Sequence, residues 1–354
     1  MSVRKKASLN KDAQFSLIKY RNLALIRELK GEIPSTEVLH SWSQKQGSDQ
    51  VAYLLYEAIL NSNEQKNFID FVRAQKADRL AVGVAKSPIE IWIISSANQS
   101  LSSWGSHVDV IGSWLEEIGL AWNELVTLSD NNIMQNAQLI GEALQASHNK
   151  KIVISFGRGS LEMSLLSKMN EKNKKYDLHS VCSWINVAGS VSGSRKADQI
   201  LNSPFLNAQA KFKSIFYREH FKNLLLSSKA NPVWRDGSEF SGLKQSINVT
   251  LLPICLEKHI PIFYKTSYQK LRDLGPNDSQ NLLADQIIRP GFIYPIWGRV
   301  VIDDIEPIKP SLVRVILALK CILEKKLGTE FLRDETSLIQ TQMVSTSAPG
   351  LFQN

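Results

Sequence analysis

From Asp12 to about Arg79 the apolar positions recur every three to four residues, in "FSLIKYRNLALIREL", "DQVAYLLYEAIL" and "NFIDFVRAQ". Cap chemistry stands between these runs in "PSTEVL" and "NSNEQ". The pattern predicts an all-helical N-terminal region over residues 1–80. It then changes. "IEIWIISS", "WNELVTL", "KIVISF" and "SVCSWINVAG" are short runs rich in β-branched and aromatic residues, and between them "DVIGSWLEEIGL", "NNIMQNAQLIGEALQAS" and "GSLEMSLLSKM" return to helical period. Such alternation predicts an α/β fold with a mostly parallel central sheet and helices on both faces, over residues 81–327. A helical insertion is expected at about 203–245, and a polar tail that has lost its periodicity at 328–354.

In a parallel α/β sheet the ligand site lies beyond the carboxyl ends of the strands, so the loops that follow strands carry the chemistry. They read "SSANQSLSSWG", "SFGRGS", "VAGSVSGSRKAD", "LGPNDSQ" and "YPIWGRVV". The order of these elements and loops resembles an α/β-hydrolase of lipase or esterase type, over roughly Ile89 to Leu327. In that family a nucleophilic serine projects from a strained strand-to-helix turn, with small residues two before and two after it. Here Ser155 and Gly159 are the small residues, so the resemblance puts Gly157, which has no side chain, at the nucleophile. It makes Asp278 of "GPND" the retained acid, and it puts Val301, following the "YPIWG" corner, where a histidine is expected.

A triad needs a nucleophile, a base and an orienting acid. With Gly157 and Val301 at two of those places, the expectation is a degenerate pseudohydrolase that acts by binding a ligand or partner, with Asn98, Arg158, Ser160 and Ser190 as ligand-binding candidates. The alternative is an active ester or lipid hydrolase with displaced residues: Ser155, Ser160 or Ser190 as nucleophile, with His107 or His259 as base. Gly occupies strained turn conformations at almost no cost, so the turn can outlast its chemistry.

Composition changes this picture little. Forty-two Lys and Arg against thirty-four Asp and Glu leave a net charge of +8, which favours anionic partners only mildly. Nucleic acid is disfavoured, since no recognition module or interleaved aromatic platform is present. "GRGS" could offer amides to an anion, but it fits neither phosphate-loop pattern, and Glu162 follows it. The insertion "NAQAKFKSIFYREHFKNLLLSSK" is amphipathic and reads either as a lid that touches lipid or as a packed helix with a basic outer face. The expected partners are therefore a small-molecule or acyl ligand, or a protein, with peripheral membrane contact a further option. Cys182, Cys255 and Cys321 lie in apolar stretches without metal spacing, which fits reduced thiols and a cytoplasmic location. No metal or cofactor is expected, no signal-peptide pattern is evident, and the apolar runs fall short of the ~20 residues that cross a bilayer.

Overall fold

The computed structural model of the chain describes residues 25–29, 31–75, 89–96, 104–128, 131–216, 219–235, 243, 245–298 and 305–325. Asn98, Val301 and the expected tail at 328–354 lie outside them.

Three helices come first: α1 (Thr36–Gln46), α2 (Ser48–Asn61) and α3 (Asn63–Arg73). Ser35 caps α1, its hydroxyl accepting from the Val38 amide. The sheet follows, with β1 (Ile89–Ser96), β2 (Trp122–Thr127), β3 (Lys150–Phe156), β4 (Val181–Val187), β5 (Ile247–Ile254) and β6 (Phe292–Trp297). Every pairing is parallel and the spatial order is β2-β1-β3-β4-β5-β6. Interleaved with the strands are α4 (Trp104–Glu117), α5 (Ile133–Ala146) and α6 (Gly157–Asn173). Asn132 opens α5 with a capping box: its side chain accepts from the Gln135 amide, and the Gln135 side chain accepts from its own.

The period-two alternation of the strands sorts the core onto two faces. Ile91, Ile93, Ile152, Ile154, Ile185 and Leu251 point to one face, under α1–α3, α4 and the helix at 309–325. Ile94, Val153 and Trp184 point to the other, under α5 and α6. The N-terminal helices thus share one apolar core with the sheet, and Phe68 of α3 stacks on Phe292 of β6 at 4.5 Å.

The 203–245 interval departs from a single amphipathic helix. It holds α7 (Arg195–Asn202) at its approach, then α8 (Pro204–Phe216), α9 (His220–Ser227) and α10 (Pro232–Arg235). After β5 come α11 (Lys265–Arg272) and α12 (Leu283–Gln286). Among the described residues no helix is long and apolar enough to cross a membrane.

Candidate functional site

The strand order reverses between β1 and β3: the chain moves from β1 out to β2, then returns to the other side of β1. In open α/β sheets a crevice forms at such a reversal, outside the carboxyl ends of the strands. β3 delivers "SFGRGS" to that point, and Gly157 is the first residue of α6, directly after the strand's last residue, Phe156.

Gly157 has φ +46°, in the left-handed region that a side chain makes costly. A Cβ built there meets no atom of the described residues within 4 Å, so among them a side chain would project into open space. Two residues on, the situation is opposite. A Cβ at Gly159 would come to 2.9 Å from Ile94 Cγ2 and 3.3 Å from Ile94 O, so the first turn of α6 can lie against β1 only because this position is small.

Ser155 and Ser160 lie beneath the turn and are fully buried. Their hydroxyls are 2.9 Å apart, and the Trp184 indole N–H donates to Ser155 Oγ at 2.8 Å. The pair ties the end of β3 to the second turn of α6. Ser160 also packs so closely on Gly189 that a Cβ there would stand 2.1 Å from its Oγ. Ser190 donates to Gly193 O, and Ser164 donates to Val191 O, which holds the loop after β4 on α6.

Arg158 points away from the space above Gly157. Its Nε pairs with Glu162 Oε1 at 2.7 Å and its Nη2 donates to Asn131 O at 2.6 Å. Glu162 is buried and accepts from Asn136 Nδ2 at 2.7 Å; burial pushes its carboxyl up in pKa against the pull of Arg158. Position 162 thus belongs to a polar joint between α5 and α6.

Asp278 sits in a loop whose Asn281 side chain reaches Ala188 O, just beyond β4. Asp278 Oδ1 accepts from the amides of Gln280 and Asn281 at 2.8 and 2.7 Å, and Oδ2 accepts from Gln286 Nε2 at 2.8 Å. Complete burial raises its pKa to about 6, opposed by these donors and by Lys196. Asn186, next to last in β4, completes the network by donating to the carbonyls of Gly189 and Gln286. A polar residue inside the apolar run "SVCSWINV" is the signal in the sequence that points to Asn186; Gln286 and Lys196 carry none.

The two histidines singled out from sequence lie on α4 and just after β5. His107 is buried on α4. His259 follows β5 and its ring stands 3.6 Å from where a Cβ of Gly298 would be, at the end of β6. Its Nδ1 accepts the Leu256 amide at 3.1 Å, so in the neutral ring the proton is on Nε2. That tautomer cannot take a proton through Nε2, as a triad base must. Among the described residues no three His, Cys, Asp or Glu side chains gather as a metal ion would need.

The turn after β3, the small-residue loop after β4 and the Asp278 loop therefore meet at the carboxyl ends of β3 and β4. No family model matches the chain, and no curated protein matches it. Among solved structures, a metagenomic carboxyl esterase superposes with a TM-score of 0.52 at 15% identity, covering 67% of this chain and 77% of its own. A lipase from Bacillus licheniformis aligns in its mature form at TM-score 0.46 and 12% identity, covering 70% of this chain and 95% of its own. Its propeptide form gives 0.48 and 16%, covering 65% of this chain and 51% of its own. The six-stranded parallel sheet, with its reversal between β1 and β3 and the tight strand-to-helix turn at that reversal, is the α/β-hydrolase fold, and this chain has it.

Proposed function

We propose that the protein is a catalytically degenerate α/β-hydrolase that works by binding a small-molecule or acyl ligand, or a protein partner, in the crevice above Gly157. The observation that carries this reading is the pairing at that residue of left-handed backbone with empty space. The turn keeps the geometry that presents a nucleophile and lacks the atom that would attack.

The neighbouring hydroxyls support it. A nucleophile must reach solvent-borne substrate, whereas Ser155 and Ser160 are fully buried and bonded to one another. Ser190 spends its proton on a backbone carbonyl. The carboxylate of Asp278 is taken up by two amides and a glutamine, which suits an architectural role in shaping the crevice floor. Described cysteines are free thiols, which fits a reducing compartment such as the cytoplasm.

The second reading is an active hydrolase with displaced residues. The two separate in a turnover assay with p-nitrophenyl butyrate. The parent chain is expected to show no hydrolysis above the uncatalysed rate, and Gly157→Ser is expected to add at most a slow one, because Val301 stands where the sequence order expects the base. Parent turnover that disappears when a single serine is replaced overturns the proposal.

A further inference from the structure

A separate cavity opens at the carboxyl ends of β5 and β6, where the N-terminal helices meet them. It encloses about 710 Å³ and is bordered by Ser43, Asp49, Tyr53, Glu257 and Trp297, among others. The elbow, on β3, lies two strands from β5 and three from β6, on the order of 9–14 Å at the usual spacing of strands. We propose that this cavity binds an organic cation, an amidinium, guanidinium or alkylammonium group carried on an apolar body.

Three independent features point to that chemistry. The walls are aromatic: the rings of Tyr53 and Trp297 meet edge to face at 5.6 Å and 82°, and π-faces attract a desolvated cation. The charge is locally reversed. On a chain of net +8, the ionic groups bordering the cavity are the carboxylates of Asp49, Glu257 and Asp273 against one guanidinium, Arg272, which lies 3.6 Å from Asp273. Finally, two polar atoms of its border are buried without a partner, Ser43 Oγ and Gln46 Oε1, and Ser43 is only 5% exposed. A buried acceptor with no donor is costly, and an N–H-bearing ligand would satisfy it. Gln46 Oε1 can only accept, so the ligand must donate, which a planar amidinium or guanidinium fork does at several points at once.

Asp49 is held in place for this task. It accepts from the Glu257 amide at 2.9 Å and from Tyr268 OH at 2.6 Å, so the carboxylate is fixed on the cavity border without a cationic partner of its own in those bonds. Bound charge would therefore meet a preorganised anion.

None of the residues bordering this cavity belongs to the elbow or bonds to Asp278, so the proposal stands whether or not the chain hydrolyses esters. Its test is isothermal titration of the full chain at low salt with benzamidine and with benzamide, which share an apolar ring and differ in charge. Benzamidine is expected to bind at least about tenfold more tightly than benzamide. Asp49→Asn and Trp297→Leu are each expected to weaken benzamidine about tenfold while changing benzamide much less, with cooperative melting retained. Because Trp297 also packs on Tyr53 and Tyr56, Tyr53→Leu serves as a second aromatic variant with the same expectation. Equal affinity for the two probes, no binding of benzamidine, or undiminished binding by the folded Asp49→Asn variant would overturn the assignment.

Discussion

Three glycines mark the site, and each constrains it differently. At Gly157 the backbone alone is demanding, because φ is +46° and the space around a Cβ is empty. Gly157→Ala should therefore destabilise the fold by only about 1 kcal/mol, the ordinary cost of a side chain in left-handed backbone. At Gly159 the added methyl meets Ile94 at 2.9 Å, and at Gly189 it meets Ser160 at 2.1 Å. Gly159→Ala and Gly189→Ala should each cost more, about 1–3 kcal/mol, by forcing α6 or the loop after β4 off its seat. Chemical denaturation ranks the three; a Gly157→Ala variant less stable than Gly189→Ala would contradict this account of the turn. The small residues at 155 and 159 were legible in the sequence because their spacing has one steric meaning. Arg158 was legible only in part: its charge suggested a ligand, whereas its i,i+4 spacing from Glu162 in one helix already allowed the ion pair, and only Asn136, the second partner of Glu162, had to wait for α5 to pack on α6.

At the scale of elements, periodicity carried most of the information. Strands β1 to β4 and helices α4 to α6 fall where the alternation of apolar runs put them, because strands buried on both faces read as continuous apolar segments and helices as three-to-four patterns. The insertion did not yield to the same method. In α8 the side chains of Phe205 and Phe212 are 77% and 62% exposed, so an amphipathic pattern there does not mean an apolar face turned to the core. Docking of α3 on the sheet edge was also hidden. Gln65, 4% exposed, accepts from the Ile293 amide at 2.7 Å and donates to Gly291 O at 3.4 Å, taking the place of a neighbouring strand along β6. A glutamine in a helix reads as surface in any sequence. Gln65→Leu should leave the Ile293 amide buried and unpaired, and lower stability by about 1–3 kcal/mol in a urea titration.

For the molecule as a whole, the helical lead-in and the sheet share one apolar core, since residues of α1–α3 belong to the same cluster as β1, β3 and β6. A chain lacking residues 1–75 should show no cooperative melting transition, and a sharp transition from it would argue for a separable domain. Stability should also respond to acid in an uncommon direction. Burial raises the pKa of Asp278 from 3.8 to about 6, and raises those of Asp285 and Glu162 as well. The native state thus binds protons that the unfolded chain does not. The contribution from Asp278, on the order of 3 kcal/mol, is fully present below about pH 4 and is lost as pH rises through about 6. Melting followed from pH 7 down to pH 5 should show a gain from this group that Asp278→Asn abolishes. The central claim, that the nucleophile's turn has outlived its nucleophile, is tested most directly by intact-mass spectrometry after exposure of the purified chain to a fluorophosphonate. An unchanged mass is the predicted result, and a single phosphonyl adduct mapped to one serine would contradict it.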